Sequence, residues 1–223
     1  SITGRPIQIE NIRKNRKVPG LRAQHLTAVK LLAKICNAKV EGLQIGSSTI
    51  TFHPNQMQDT SLQENVGTAG SISLILQVLI PAVALAKKKL DLSIIGGTDV
   101  SWSPTSDYTN YVLREAYSRI GIDFSMDIQK RGYYPKGGGI VNVTVHPAKK
   151  LNPVSLTRRN TKDAKLLCTN SGVPDVALYV DDLNNALKKN GFSVESQIDE
   201  QSAQDKGASL VIFSQDSTSI NGA

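Results

Sequence analysis

Apolar and polar residues follow one repeating order over the first fifty positions of the chain. The pattern predicts a strand over residues 6–13, where isoleucines partly alternate with polar neighbours. It then predicts a helix over 23–36, whose apolar residues recur at steps of three and four. Two more strands are predicted over 39–45 and 48–53. The order of this first unit is therefore strand, helix, strand, strand.

The same order returns after a long apolar segment at 69–86, which is predicted to form a helix. The second set of elements is a strand over 90–95, a helix over 104–120, and strands over 122–129 and 139–145. Ser103 and Pro104 fit the N-cap and the first position of that helix. Both units end in a similar tripeptide, Phe52-His53-Pro54 and Val145-His146-Pro147. We interpret them as an internal duplication of an α+β unit.

A polar and basic stretch over 152–162 predicts a domain boundary. Beyond it the pattern predicts a strand, a helix and two strands, over 164–168, 174–190, 192–198 and 208–215. We therefore predict an α+β fold in which repeated strand–helix–strand–strand units form a large domain over 1–155. A small inserted α/β domain covers 156–213, and residues 214–223 begin a return to the large domain. Because Ser1 leads directly into a strand and Asn221-Gly222 is typical of a turn, we expect the sequence to be a fragment that lacks both termini.

The apolar run over 71–86 raises the question of a membrane span. It is shorter than the roughly 20 residues that a spanning helix needs. It also contains Gln77 and Pro81, so a central core helix is the favoured interpretation. The start of the chain shows no secretory signal. We expect an intracellular protein with no membrane partner.

The 223-residue chain carries 26 Lys and Arg against 19 Asp and Glu, for a formal net charge of +7. One early stretch holds Arg5, Arg13, Lys14, Arg16, Lys17 and Arg22. This excess favours a phosphate-bearing partner such as nucleic acid or nucleotide, although a solubilising face explains the composition equally well. The two cysteines, Cys36 and Cys168, lie in apolar contexts, and no His/Cys cluster has metal-ligand spacing, so no structural zinc site is expected.

Four stretches of the sequence contain residues that could bind a ligand, and the first two lie at the start of a predicted helix or within one. The basic stretch 12–25 joins a strand end to a helix start, where backbone N–H groups and the helix dipole attract anions. Its arginines could bind phosphate oxygens, and a solvated basic loop is the alternative. In the stretch 67–81, Gln77 sits in an apolar helix and Pro81 cannot donate to the Gln77 carbonyl. A side-chain amide beside a free carbonyl suits a nucleobase edge, and pairing with a neighbouring loop is equally open.

The other two stretches are rich in glycine. In 96–107 a glycine pair ends a strand and leads to a helix start, which lets a ligand approach the backbone. The stretch 131–139 lies between two strands and is not a Walker loop, because Gly-Lys-Ser/Thr is absent and no helix follows. Taken alone, both are more simply interpreted as structural connections. The three histidines, His25, His53 and His146, show no catalytic-triad or metal-binding arrangement.

Together the four stretches resemble RNA 3'-terminal phosphate cyclases. The matching pieces are ITGRPIQIENIR, PGLRAQHL, GTAGSISLILQVLIPA, GGTD…SP…DY and RGYYPKGGG, in that order. They cover nearly all of residues 1–155, and the resemblance continues more weakly through the inserted domain. The pairing of RGYYPKGGG with PGLRAQHL is specific to this family.

The resemblance implies an ATP-dependent ligase that converts an RNA 3'-terminal phosphate into a 2',3'-cyclic phosphodiester. In the family a histidine attacks the α-phosphate of ATP and releases pyrophosphate, the adenylate passes to the RNA 3'-phosphate, and the vicinal 2'-hydroxyl displaces AMP. The implied cofactors are ATP and a divalent metal ion, magnesium or manganese. The implied partner is RNA with a 3'-phosphate end. Family membership would place a eukaryotic protein in the nucleus and any other in the cytoplasm.

Site residues are carried over from the same resemblance. Positions that contact the adenylate or line the phosphate and nucleotide cleft are matched by Gln77, Pro104, Arg13, Arg16 and Gln24. These form the expected ATP-binding set. Arg131 and Lys136 fall in the glycine-rich signature without an assigned role.

The sequence also departs from the family pattern. The acidic, glycine-rich opening segment GEGGGQ is not found, and none of the three histidines matches the family's nucleophile. The catalytic residue is therefore unassigned, and the chain by itself is expected to lack adenylation activity.

Two other classes remain open. One is a non-catalytic, cyclase-like protein that binds RNA or partners in ribosome biogenesis. The presence of Arg13, Arg16 and Gln24-His25 favours the catalytic branch. The other class is the enolpyruvyl transferases, which share repeated α+β units but whose signatures are not visible here.

Overall fold

The first unit folds into a small antiparallel sheet with one helix. A computed structural model describes residues 2–155, 162–215 and 220–222. Strands β1 (Ile7–Ile9), β2 (Lys39–Glu41) and β3 (Ile50–His53) pair in the order β1-β3-β2, and helix α1 (Ala23–Ile35) connects β1 to β2. The strand predicted over 6–13 is shorter because Asn11 and Arg13 adopt positive φ angles of 56° and 55°, which turn the chain away from the sheet.

The second unit repeats this arrangement with one strand added. Strands β4 (Thr60–Asn65), β5 (Leu90–Gly96), β6 (Phe124–Lys130) and β7 (Gly139–Val145) pair in the order β4-β5-β7-β6. The series β5-β7-β6 matches β1-β3-β2 strand for strand, which confirms the predicted repeat and the α+β class. Strand β4 runs parallel to β5 and was missed, because Leu62 is its one large apolar residue.

Two helices cover these sheets and share one core. Helix α2 (Ile72–Leu85) connects β4 to β5, packs against α1, β5 and β7, and buries nine of its residues. Leu76, Leu79 and Ile80 are fully buried, which confirms the predicted core helix. In the part of the chain that the structure describes, no helix has both the length and the apolar character needed to cross a membrane.

The helix predicted over 104–120 begins later than expected. A π-helical turn (Tyr108–Leu113) leads directly into α3 (Arg114–Arg119). Ser103 is not the N-cap, because its hydroxyl donates to the carbonyl of Val100 at 2.9 Å. Thr105 does the capping, since its Oγ1 accepts a bond from the Tyr108 amide at 3.0 Å. Pro104 therefore lies in the preceding loop.

The last part of the chain forms its own sheet. Strands β8 (Asp163–Ser171), β9 (Ser193–Glu200), β10 (Gly207–Gln215) and β11 (Ile220–Gly222) pair in the order β11-β10-β8-β9. Helix α4 (Val176–Lys189) packs on one face, against Leu166 and Cys168 of β8. The other face packs Leu167, Val211 and Phe213 against Val112 of the π-helical turn. The predicted boundaries at 155/156 and 213/214 stay predictions, and residues 156–161 and 216–219 lie outside the described residues.

Candidate functional site

Three of the four suggestive stretches meet at one edge of the second sheet. Strands β4 and β5 are parallel, so their carboxyl ends lie side by side. The connection between β6 and β7 emerges at the same edge, since Gly96 pairs with Gly139 and Ile140 with Lys130. The loops over 66–71, 97–107 and 131–138 therefore lie together. We call this region the glycine-loop edge.

The backbones of these loops are bonded directly to one another. Gly97 donates to the carbonyl of Gly70 at 2.9 Å, and Thr98 donates to the carbonyl of Gly132 at 2.8 Å. Gly137 packs so closely that a Cβ there would lie 2.8 Å from the Ala69 Cα. Its φ of +77° is also disfavoured for other residues. The glycines thus allow three backbone segments to form one rigid surface.

Arg131, in the third of these loops, is only 3% exposed. Its guanidinium makes two bonds of 2.8 Å to Asp107 and one of 3.2 Å to Asp99. Burial by itself would lower the pKa of Arg131, but the hydrogen bonds to Asp107 and the charge of Asp99 outweigh it and raise the pKa. Arg131 therefore stays protonated and fixes both carboxylates.

The same network reaches the sheet formed by β8 to β11. Arg131 Nε donates to Gln201 Oε1 at 3.0 Å. Thr169 of β8 donates to Asp107 at 3.2 Å. Sequence reasoning missed this role, because the three charged residues belong to two separate motifs whose spacing does not indicate a pair. The network joins the glycine-loop edge to the third sheet.

The basic stretch lies at the equivalent edge of the first sheet. Leu21 donates to Ser47 at 2.9 Å and accepts from Gly46 at 2.8 Å, which ties the loop to the β2–β3 connection. The Arg13 guanidinium turns back onto the loop, where its Nη1 donates to the carbonyls of Val18 at 2.7 Å and Gly20 at 3.1 Å. Arg16 is exposed, and its side chain makes no hydrogen bond within the described residues.

Gln24 connects the two edges. Its side-chain Oε1 accepts a 3.0 Å bond from the backbone amide of Ser71, the N-cap of α2. This bond joins the start of α1, which follows the basic loop, to the start of α2, which follows the first glycine loop. Two stretches that are far apart in sequence therefore meet at one place.

Gln77 and Pro104 lie on two of the segments that reach this junction, α2 and the loop over 97–107. Gln77 is half-buried on α2, about 9 Å along the helix from Ser71 at 1.5 Å per residue. Pro81 is inside the same helix, as predicted, and the Gln77 amide side chain finds no hydrogen-bond partner among the described residues. Pro104 is half-buried in the loop over 97–107, at the glycine-loop edge. Whether these residues bind a nucleotide stays a prediction.

His25 is the one histidine close to this junction. Its Nδ1 accepts a 3.2 Å bond from the backbone amide of Arg22, which requires a neutral ring. Burial, and then the charges of Arg13 and Arg22, lower its pKa. His53 and His146 are exposed at the ends of the equivalent strands β3 and β7.

The donor set does not fit a metal ion held by these residues. Over residues 2–155, 162–215 and 220–222, no three His, Cys, Asp or Glu side chains come together as ligands. Asp99 and Asp107, the buried carboxylates of the glycine-loop edge, are both paired with Arg131. Cys36 and Cys168 are buried free thiols.

Comparison with known proteins gives one consistent result. The family described as RNA 3'-terminal phosphate cyclase matches residues 1–221. The chain is 45% identical over 160 residues to an RNA 3'-terminal phosphate cyclase from Hyperthermus butylicus, covering 71% of this chain and 45% of the relative. It is 50% identical over 147 residues to one from Pyrococcus furiosus, covering 66% of this chain and 43% of the relative.

A third relative, from Methanococcoides burtonii, carries the same name and is 47% identical over 148 residues, or 66% of this chain and 45% of that protein. In all three cases the match spans less than half of the relative's own length.

Proposed function

The chain belongs to the RNA 3'-terminal phosphate cyclase family, and on this premise we propose that the protein acts in the ATP-dependent conversion of an RNA 3'-terminal phosphate into a 2',3'-cyclic phosphodiester. The observation that supports this most directly is the Gln24–Ser71 hydrogen bond. It places the basic loop of the first unit beside the glycine-loop edge of the second. Cations beside closely approachable backbone are suited to the phosphates of ATP and of an RNA end.

The proposed chemistry is activation of a poor leaving group. A 3'-phosphate cannot be closed by the neighbouring 2'-hydroxyl until one of its oxygens becomes a good leaving group. Adenylation provides this, because the phosphate is then attached to AMP, and attack by the 2'-hydroxyl breaks the bond to AMP as the ring forms. A histidine–AMP intermediate divides the adenylation itself into two easier steps: a histidine attacks the α-phosphate of ATP and releases pyrophosphate, and the RNA 3'-phosphate then displaces the histidine from AMP.

We assign roles within the expected ATP-binding set from the positions of its members. Arg16, exposed and without a side-chain hydrogen bond in the described residues, is the better candidate for a phosphate contact. Arg13 and Gln24 shape the cleft, since Arg13 bonds the loop carbonyls and Gln24 bonds Ser71. Gln77 and Pro104 would contact the adenine, one through its amide and the other through its ring. Magnesium or manganese would accompany the nucleotide phosphates.

We propose that none of the three histidines in this chain is the nucleophile. His25 Nδ1 is occupied by the Arg22 amide, and His53 and His146 lie at strand ends. We expect the 223-residue chain to bind ATP but to form no covalent adenylate. Incubation with α-labelled ATP and magnesium, followed by gel electrophoresis, should show no acid-labile label on the chain.

Calorimetry with unlabelled ATP tests the binding half of the proposal. Gln77→Ala and Arg16→Ala should each weaken binding, and Lys188→Ala, an exposed cation on α4, should not. A labelled band on the chain would mean that one of its own histidines is the nucleophile. Wild-type affinity in the Gln77 and Arg16 variants would remove these residues from the site.

A non-catalytic, cyclase-like protein is the second candidate. It is favoured by the use of Arg13 within its own loop, which leaves fewer donors for phosphate. Ring closure on a 3'-phosphorylated oligoribonucleotide, assayed with the protein purified from its source, separates the two. The relatives named above come from archaea, so of the compartments implied by the resemblance we propose the cytoplasm.

A further inference from the structure

The most exposed large apolar side chain that the structure describes is Trp102, which is 100% exposed. It lies in the loop over 97–107, two residues before Pro104. Its φ of +67° is in the left-handed region, which is uncommon for a bulky residue. The indole ring is thus fully in solvent, on a residue whose backbone conformation is itself unfavourable.

The loop around Trp102 is fixed rather than loose. Ser103 Oγ donates to the carbonyl of Val100 at 2.9 Å, which closes the turn that carries the indole. Ser106 anchors the far side, its amide donating to Asp99 at 3.0 Å and its hydroxyl to the carbonyl of Thr98 at 2.8 Å. Asp99 is in turn held by Arg131. The backbone that carries the indole is therefore fixed before any ligand arrives.

A second exposed aromatic residue lies on the neighbouring loop. Tyr134 is 77% exposed and is followed by the exposed Lys136. Its loop is bonded to that of Trp102 through Gly132, which accepts from the Thr98 amide at 2.8 Å and donates to Thr98 Oγ1 at 3.0 Å. Exposed aromatic rings beside cations are how proteins bind single-stranded nucleic acid, by stacking on bases and pairing with the backbone.

We propose that Trp102 is a stacking platform for a base near the 3' end of the RNA substrate. This rests on the proposed function, which supplies the RNA. The base comes from the RNA strand, because Trp102 is fully exposed on the outer turn of its loop whereas Pro104, the expected adenine contact, is half-buried. Tyr134 offers a second ring and Lys136 a charge for the adjoining backbone.

Trp102 is the single tryptophan of the chain, so its fluorescence can be followed without mutation. We would titrate the 223-residue chain with a 3'-phosphorylated single-stranded oligoribonucleotide and record tryptophan emission. In parallel, anisotropy of a fluorescein-labelled copy would measure binding independently. The free chain should emit like a solvated indole, and RNA should quench that emission along the same curve as the anisotropy. ATP alone should leave it unchanged.

Matched variants test the affinity. Trp102→Ala should weaken RNA binding roughly 5- to 150-fold, the range expected for one base–aromatic stack, and Trp102→Phe should lose less. Tyr179→Ala removes a ring that is 69% exposed on α4 and should have no effect. Circular dichroism would confirm that each variant is folded.

Several results would contradict the stacking role of Trp102. RNA binding by anisotropy without quenching, or equal affinity in the Trp102→Ala and Tyr179→Ala variants, overturns the stacking role and leaves the proposed function standing. Quenching by ATP but not by RNA overturns the assignment to RNA. A blue-shifted emission in the free chain would show that other residues cover the indole, which also overturns it. If the chain binds no RNA, both proposals fail.

Discussion

At the scale of single residues, Arg131 shows how a buried charge can organise a site. Replacing it by leucine leaves Asp99 and Asp107 in the interior without their cation. Breaking a buried ion pair in this way costs about 3–5 kcal/mol of unfolding free energy. Arg131→Lys should lose less, because it keeps the charge and gives up only the forked geometry. Urea denaturation followed by circular dichroism measures both.

The control for Arg131 is an exposed ion pair. Lys165 and Glu195 are 3.4 Å apart, with side chains 62% and 77% exposed. Glu195→Gln should change the unfolding free energy by less than about 1 kcal/mol. If Arg131→Leu were as mild as this control, the network would not be an important source of stability.

His25 gives the chain a predictable response to acid. Its pKa is lowered in the folded state, so the unfolded chain binds the proton more readily. The stability that comes from this difference is complete above the ordinary pKa of 6.5 and is lost as the pH falls toward the lowered folded-state pKa.

The measurement is the unfolding free energy at about pH 7.5 and about pH 5.5, on either side of the ordinary histidine pKa. His25→Asn can still accept the Arg22 amide through its side-chain oxygen and does not titrate, so it should lose less stability on acidification than the wild type. An identical loss in both proteins would contradict the assignment.

Contacts between individual side chains were the features least predictable from the sequence. Gln77 beside Pro81 was identified correctly as a polar position on a core helix, because an amide in an apolar run stands out. The pairing of Arg131 with Asp107 could not be predicted, since it depends on how two loops 24 residues apart fold against each other. Likewise, no pattern indicates that Arg13 turns back onto its own loop.

At the scale of elements, the contact between the basic loop and the β2–β3 connection depends on Gly20. It has a φ of +77°, and a Cβ there would overlap the backbone of Gly46. Gly46 has a similar φ of +81° but open space around its own Cβ position. Alanine substitutions at the two positions therefore separate the cost of the backbone conformation from the cost of steric overlap.

Gly46→Ala should cost about 1–2 kcal/mol of unfolding free energy from its backbone conformation alone. Gly20→Ala adds the overlap and should cost about 2–5 kcal/mol. It should also displace the basic loop and weaken ATP binding, which calorimetry on the two variants would show. Equal costs would mean that the loop can move away from Gly46 freely.

Most elements were predictable because their burial follows simple periods. Strands β5 and β7 bury alternate residues, and α2 is apolar along its length. Strand β4 was missed because it alternates mainly among polar residues, with Glu64 reaching Lys30 at 2.7 Å and Lys34 at 2.8 Å on α1. The prediction that Ser103 is the N-cap was wrong, because Thr105, two positions later, is an equally suitable capping residue and accepts the Tyr108 amide.

At the scale of the whole molecule, the net charge of +7 predicts salt-dependent binding of nucleic acid. Affinity for a 3'-phosphorylated single-stranded oligonucleotide should fall linearly with salt on logarithmic axes. Arg16→Gln should weaken binding and reduce that slope by about 1, as expected for one lost phosphate contact. Lys188→Gln on α4 removes the same charge far along the chain and should leave the slope unchanged. An unchanged slope for Arg16→Gln would show that Arg16 does not contact an RNA phosphate.

The repeat itself was predictable from sequence, since two tripeptides and two runs of elements mark it. What the structure adds is the strand order, in which β1-β3-β2 and β5-β7-β6 correspond. Pairing order depends on contacts between distant strands, which local periodicity does not record. The same correspondence places the basic loop and the glycine loops at equivalent edges, and the Gln24–Ser71 bond joins the two edges.

That correspondence has a consequence for the chain in concentrated solution. In the second sheet β4 lies outside β5, whereas β1, the counterpart of β5, has a partner on one side only among the described residues. Ile7 and Ile9 of β1 are 48% and 43% exposed. An open strand edge with apolar side chains can template the stacking of further copies. We therefore expect this open edge to favour association of the isolated chain at high concentration, and Ile7→Lys to reduce it.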